Sequence, residues 1–197
     1  MRFRFERDRK HYLAARGILR NILGAYLDRP PAVLQFAYSA RGKPSLAADS
    51  ESSGLCFNLS HSQGIALYAL TRNREIGVDV ERVRADFPCE RIAERFFSPV
   101  EVSKLRSLPG SVRYEAFFNC WTRKEAYIKA IGEGLLVALD RFEVSLAPDE
   151  EAALLSVADD PQEASRWTIK NLSPAPGYVG AVAVKGRGLT LRSWQWK

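Results

Sequence analysis

The sequence predicts an α+β protein built from two related halves, and three observations carry that prediction. A helical stretch is followed by short alternating strands, and the same order recurs in the second half of the chain. An echo links the halves: Asn58-Leu59-Ser60 and Asn171-Leu172-Ser173 are each followed by a glycine six residues after the Asn, Gly64 and Gly177. The chain has 197 residues, 46% of them hydrophobic, enough for a sizeable core in one domain or two compact halves. Each half is read as helices packed on a small, mostly antiparallel sheet, related by a pseudo-twofold, with the halves at residues 1–85 and 86–197.

The elements follow in order. Residues 8–27 space Tyr12, Ala15, Leu19, Ile22, Leu23 and Tyr26 at helical intervals, with Asp8 placed to cap and Arg9, Arg16 and Arg20 along one edge of the stripe. Short apolar runs at 33–39, 55–60, 64–71 and 75–81, separated by Gly, Pro, Ser and Asn, read as strands of an antiparallel sheet. Helical spacing returns from 89 to 131, and strand-like runs follow at 142–146, 167–173, 177–185 and 189–196. At the start, Phe3 and Phe5 alternate with Arg2, Arg4 and Glu6, like the end of an element whose beginning lies upstream.

Composition narrows the function classes. No run approaches the about 18 apolar residues of a membrane span, and the charged opening lacks the apolar core of a signal peptide. The chain is placed in the cytoplasm, with no membrane partner. Cys56, Cys89 and Cys120 are odd in number, widely spaced, and form no ligand-spaced cluster with His11 or His61. That argues against zinc and against a disulfide framework. The net charge is +6, and the first twenty residues hold seven Arg or Lys against two acids. An acidic partner or phosphorylated ligand is expected. No nucleic-acid-binding motif is visible, so nucleic acid is not expected as a partner.

The polar chemistry concentrates in a few places. In the helix around 113–131, Tyr114, Phe117, Phe118, Trp121, Glu125 and Ile128 fall on one face, with Lys129 one turn beyond Glu125 at its edge. Taken alone, Glu125 and Lys129 are an i,i+4 surface pair. The aromatic neighbours argue otherwise, because an ionised carboxylate in apolar surroundings needs a cation or hydrogen bonds. In Ile76-Gly77-Val78-Asp79-Val80-Glu81, strict alternation puts Asp79 and Glu81 on one face of a strand. Alone, that pair is a solvated strand face. With Glu125 it makes three carboxylates, an oxygen set suited to Mg²⁺ rather than zinc. Arg41 and Lys43 flank the turn at Gly42-Pro44, while Ser60 and His61 end a strand where phosphate could be received. The second copy of the echo has Pro174 in place of His61 and no counterpart of Asp79 and Glu81. If the halves are related, the polar chemistry stayed with the first.

Taken in order, Gly42-Lys43-Pro44, the run from Phe57 to Ser62, Ile76–Glu81 and the run from Trp121 to Gly134 resemble the signature of the 4′-phosphopantetheinyl transferases, in their larger pseudo-dimeric class. The resemblance implies an active site in the cleft between the halves. It implies an enzyme that moves the phosphopantetheine arm of coenzyme A to a serine of an acyl or peptidyl carrier protein, releasing adenosine 3′,5′-bisphosphate. Such carriers serve fatty acid, polyketide and nonribosomal peptide biosynthesis. By the same resemblance Asp79, Glu81 and Glu125 would hold Mg²⁺, with Mn²⁺ as a substitute. Glu125, directly or through water, would take the serine proton, Lys129 would contact the pyrophosphate, and Arg41, Lys43, Ser60 and His61 would grip the coenzyme. Glu133 stands where members of the class often carry a base. Relatives also place a strand upstream of Phe3, so the resemblance leads us to expect either a truncated start or a shortened member with weakened coenzyme binding. The carrier is expected to be acidic and to dock on the segment after Glu81 with the helices at 96–118, using Phe96, Phe97 and Val100; the enzyme is expected to be a monomer. The competing classes are another Mg²⁺-dependent phosphoryl transferase or nuclease, separable by coenzyme A dependence, and a basic RNA-binding module, which the central acids oppose.

Overall fold

A computed structural model describes residues 6–47, 54–134 and 137–196, and of the side chains of residues 6–9 and 11 nothing is said. Phe3 and Phe5 lie outside the described residues. Helix α1 spans Glu6–Leu27. Asp8 therefore lies inside its first turn instead of capping it. Ala15, Leu19 and Leu23 are buried as the spacing requires, whereas Tyr26 is exposed. Arg20 is drawn inward, donating to the carbonyls of Pro31 (2.7 Å) and Leu34 (2.9 Å).

The run at 33–39 is only partly a strand. Pro31 opens a 3₁₀ turn over Pro31–Val33, and a proline at a helical start is pre-set for it. The extended part shrinks to β1 (Phe36–Tyr38), paired antiparallel with β2 (Pro44–Leu46). Strands β3 (Leu55–Ser62) and β4 (Ile65–Arg72) form a hairpin turned at Gln63-Gly64. Strand β5 (Ile76–Arg82) does not extend that sheet. It pairs antiparallel with β9 (Tyr178–Lys185), which pairs with β8 (Trp167–Leu172).

The helical region resolves into α2 (Cys89–Phe96), α3 (Pro99–Ser107) and α4 (Gly110–Ile131). Each break has a local cause. Ser98 caps α3 in a reciprocal box with Glu101, Pro99 fits its first turn, and Pro109 precedes α4. A small ladder of β6 (Phe142–Val144) and β7 (Leu154–Val157) follows. Residues 189–196 form no strand despite their alternation. They follow β9, whose two edges are already taken by β5 and β8, and Trp194 is left 74% exposed.

The largest core packs α4 against β8 and β9 and gathers Phe97, Phe117, Phe118, Tyr127, Phe142 and Trp167. Helix α4 is not amphipathic in the expected way. From Ala116 to Ala130 it is buried nearly all round, Arg123 and Lys124 included, and the half-open line along that stretch is Trp121, Glu125 and Lys129. Glu125 therefore does not interrupt an apolar stripe. It lies on the one ridge of a buried helix that still reaches solvent.

Candidate active site

Helix α4 crosses β5 at Gly77, and the missing side chain makes the crossing possible. A Cβ there would stand 2.1 Å from the Ala126 carbonyl oxygen and 2.4 Å from the Ala130 nitrogen. Those are backbone atoms that cannot rotate away. Small residues on the helix side, Ala126 and Ala130, complete the close approach. Two residues beyond Gly77, Asp79 faces the last turns of α4, and Lys129 Nζ donates to Asp79 Oδ1 at 2.6 Å.

Strand β3 supports the same carboxylates from the other side. Its alternation sends Asn58, Ser60 and Ser62 toward β5. Asn58 Oδ1 accepts from the Val78 amide (2.9 Å), Ser60 Oγ donates to Asp79 Oδ1 (2.7 Å), and Ser62 Oγ donates to Glu81 Oε2 (2.8 Å). Lys129 Nζ also donates to Ser60 Oγ at 3.1 Å. Asp79 Oδ1 is thus fully served. Asp79 Oδ2 is buried and has no hydrogen-bond partner among the described residues, an arrangement that costs free energy unless something positive completes it.

The neighbouring acids feel the site. Burial raises the Glu125 carboxyl above its ordinary range, Asp79 raises it further, and Lys129 opposes the shift. Glu81 is raised by burial too, partly offset by the bond from Ser62. Asp79, Glu81 and Glu125 therefore interact as one acidic group. Among the described residues, however, no three His, Cys, Asp or Glu side chains already stand at the spacing of a finished metal site.

The remaining predicted residues are divided. Ser60 and His61 project from opposite faces of β3. Ser60 belongs to the carboxylates, whereas His61 is exposed and lines a pocket with Tyr12, Arg16, Tyr38 and Pro44. Arg41 is exposed in the β1–β2 turn, beside Gly134. Lys43, from the same turn, points inward to main-chain carbonyls. Glu133 is exposed after the end of α4.

Two parts of the site were missed in the sequence. Arg16 bonds Tyr12 Oη (3.1 Å) and Tyr38 Oη (2.5 Å) and lies over both rings, so one guanidinium organises the His61 pocket. Its position on the α1 stripe edge was visible, but Tyr38 as its partner was not. Arg123 and Lys124 are the second omission. Arg123 bonds Asn171 and Ser145, and Lys124 pairs with Glu101 at 2.8 Å while donating to the Leu139 and Phe142 carbonyls. They anchor the helix that carries Glu125. Phe97, expected to offer a docking contact, is only 3% exposed and belongs to the core, whereas Val100 is 60% exposed.

Comparison with known proteins identifies the family. Residues 75–183 match the family described as the 4′-phosphopantetheinyl transferase superfamily, and residues 1–72 match the 4′-phosphopantetheinyl transferase N-terminal family. The 4′-phosphopantetheinyl transferase HetI of Nostoc sp. is 44% identical over 195 residues, covering 99% of this chain and 79% of that protein. The 4′-phosphopantetheinyl transferase Sfp of Bacillus subtilis is 29% identical over 182 residues, covering 92% of this chain and 76% of that one. The solved holo-[acyl-carrier-protein] synthase of Thermotoga maritima aligns with a TM-score of 0.45 at 23% identity, over 58% of this chain and 64% of that one. With two family matches that together run along most of the chain and a relative similar over almost all of it, this protein belongs to the 4′-phosphopantetheinyl transferase superfamily.

Proposed function

We propose that this phosphopantetheinyl transferase moves the 4′-phosphopantetheine arm of coenzyme A to a serine hydroxyl of an acyl or peptidyl carrier protein, with Asp79, Glu81 and Glu125 as the oxygen ligands for Mg²⁺ or Mn²⁺. In the step, the serine oxygen forms a bond to the phosphorus that bears the pantetheine arm. The pyrophosphate P–O bond breaks and adenosine 3′,5′-bisphosphate leaves. The observation that carries the reading is Asp79: one oxygen is held by Lys129 and Ser60 while the other is buried without a partner. An all-oxygen donor set beside a lysine fits a hard cation. The bound ion would offset charge on the pyrophosphate.

Glu125 takes the serine proton, directly or through a water. Its raised affinity for protons and its place on the open ridge of α4 support that role. Lys129, one turn on, neutralises charge on the leaving phosphate. The coenzyme lies along the pocket of Arg16, Tyr38 and His61, with Arg41 at its rim. The site is assembled from β5 and α4 of one chain, which supports a monomer. The echoed hairpins β3–β4 and β8–β9 support the division into halves at 1–85 and 86–197, with the site between them.

The carrier docks beside α2, where Arg84, Arg91 and Arg95 are exposed and Val100 adds apolar surface. These cations support an acidic partner. Cys56, Cys89 and Cys120 are all free thiols, which supports the reducing cytoplasm, and among the described residues no helix is long and apolar enough to cross a membrane. The test incubates the protein with coenzyme A, Mg²⁺ and a panel of apo carrier proteins and weighs the carriers. A phosphopantetheine mass gain that requires both coenzyme A and Mg²⁺ supports the reading. Hydrolysis of phosphoesters or nucleic acid without coenzyme A would replace it with the competing class.

A further inference from the structure

Lys43 was expected to grip the coenzyme, and its surroundings point to another task. Strand β5 has β9 along one edge. Along the other edge no strand backbone pairs with it among the described residues, and side chains serve its polar groups. The Val78 amide goes to Asn58 Oδ1, and the Ile76 carbonyl accepts from Lys43 Nζ at 3.3 Å. The same ammonium donates to the Ala130 carbonyl at 2.6 Å. Ala130 belongs to the last turn of α4, whose final carbonyls lack partners within the helix. A cation there also meets the negative end of the helix.

The two carbonyls flank the place where α4 crosses β5. Ile76 precedes Gly77, and Ala130 follows Lys129. The lysine stem reaches this point past Gly132, the left-handed residue that ends α4 (φ 76°). A Cβ on Gly132 would come within 3.2 Å of Lys43 Cδ, so the glycine leaves the notch the stem occupies. Arg41, from the same turn, lies beside Gly134 at ordinary contact distance. The β1–β2 turn and the end of α4 therefore interlock.

We infer that Lys43 is a positioning residue: by tying Ile76 of β5 to Ala130 of α4, it sets the distance between Asp79 and the Glu125–Lys129 ridge, and it is not a coenzyme contact. This rests on the proposed assignment of those three residues to the active site. Lys43 acts through the crossing, one residue from Gly77 on the strand and one from Lys129 on the helix. Removing its ammonium leaves the pocket of Arg16 and His61 untouched and loosens the catalytic pair.

The experiment compares Lys43→Met with wild type. Methionine keeps most of the stem and removes every donor. Coenzyme A binding is measured by calorimetry, turnover with a saturating apo carrier, and Mn²⁺ binding by electron paramagnetic resonance. The expected result is a kcat about tenfold or more lower, weaker Mn²⁺ binding, a coenzyme A Kd within about twofold of wild type, and an unchanged preference over dephospho-coenzyme A. A tenfold weaker Kd at unchanged kcat makes Lys43 a ligand contact and overturns the inference, as does no change in any quantity. Should the Met variant not fold, Lys43→Arg gives the same split. A guanidinium binds phosphate at least as well as an ammonium but spans the two carbonyls differently. Positioning then predicts lower kcat at equal or tighter Kd, and a phosphate contact predicts unchanged kcat. Hydrogen exchange at Val78 and at the end of α4 separates the two readings. Faster exchange in the Met variant upholds the tie even if wild type transfers no phosphopantetheine, and unaltered exchange removes it.

Discussion

Two lysines on α4, five residues apart, each meet a carboxylate, and they do opposite things. Lys124 is 0% exposed; its ammonium is shared among Glu101 and the carbonyls of Leu139 and Phe142, while Glu101 also accepts from the Ser98 and Val144 amides. All three ammonium protons are used there, and both Glu101 oxygens have partners. Lys129 lies on the half-open ridge, and its partner Asp79 keeps one oxygen buried and unserved. The closed pair fastens the helix to α3 and β6. The open pair lies on the ridge of α4 that reaches solvent. The same two functional groups are structural where satisfied and reactive where one position is left over.

The sharpest way to break the contrast is at the closed pair. Lys124→Met strands the Glu101 charge in the core, and such losses cost about 3–5 kcal/mol. Chemical denaturation should show that loss, and adding Glu101→Gln should recover much of it, since the uncompensated charge is then gone. A single variant as stable as wild type would show the pair to be idle.

At the open pair the loss should be of activity. Glu125→Gln is expected to lower transfer by at least about a hundredfold, the usual contribution of a positioned base, while folding persists. Its metal-free stability should even rise at neutral pH. Glu125 and Glu81 titrate above the ordinary 4.5 because burial and mutual repulsion favour their protonated forms. Their contribution is therefore present below the unfolded value and lost as pH rises through the raised folded values. Melting of the metal-free protein should fall as pH climbs from about 4.5 toward neutrality, more gently in the Gln variant, and Mg²⁺ should raise melting only in wild type. Parallel curves for the two proteins would contradict this.

Gly77→Ala tests the crossing beside which Lys129 and Lys43 make their bonds. A methyl 2.1 Å from a helix carbonyl forces strand and helix apart. About 1–3 kcal/mol of stability should be lost, and transfer should fall further than stability alone explains. Ser60→Ala is milder. It removes the hydroxyl that donates to Asp79 and accepts from Lys129, and hydrogen bonds to charged groups are worth about 1.5–3 kcal/mol each, so transfer should drop roughly tenfold and melting by several degrees. The smallest effect is expected from salt: raising ionic strength to physiological levels should slow carrier modification a few-fold through screening of the exposed arginines. A flat rate would remove steering from the account.

Much of this was legible in residue order. The alternation of Ile76–Glu81 located β5 and put Asp79 and Glu81 on one face, because a two-residue period survives any packing that leaves the faces different. The repeated Asn-Leu-Ser falls in β3 and at the end of β8, each the first strand of an antiparallel pair. Helix α4 was misread because helical periodicity reports burial only when one side meets water. With nearly all its faces covered, the period fades and Glu125 looks like an intruder in an apolar stripe. Arg123 and Lys124 were unreadable because their partners, Asn171, Glu101 and the Leu139 carbonyl, lie 15 to 48 residues away. The run at 189–196 has strand chemistry, but the strand it follows, β9, is already paired on both edges, and edge availability is a property of topology.

The pairing of β5 with β9 also decides when this enzyme can exist. Asp79 and Glu81 sit on a strand whose backbone partner, from Ile76 opposite Val184 to Arg82 opposite Tyr178, is synthesised about a hundred residues later. As the chain leaves the ribosome, β3 and β4 can close on each other at once, but the acidic strand must wait for nearly the whole protein. Until then its edge is open and its carboxylates have no finished sheet to hold them. Activity therefore arrives late and all at once, and a nascent chain stopped before residue 178 holds the acids without the machinery to use them.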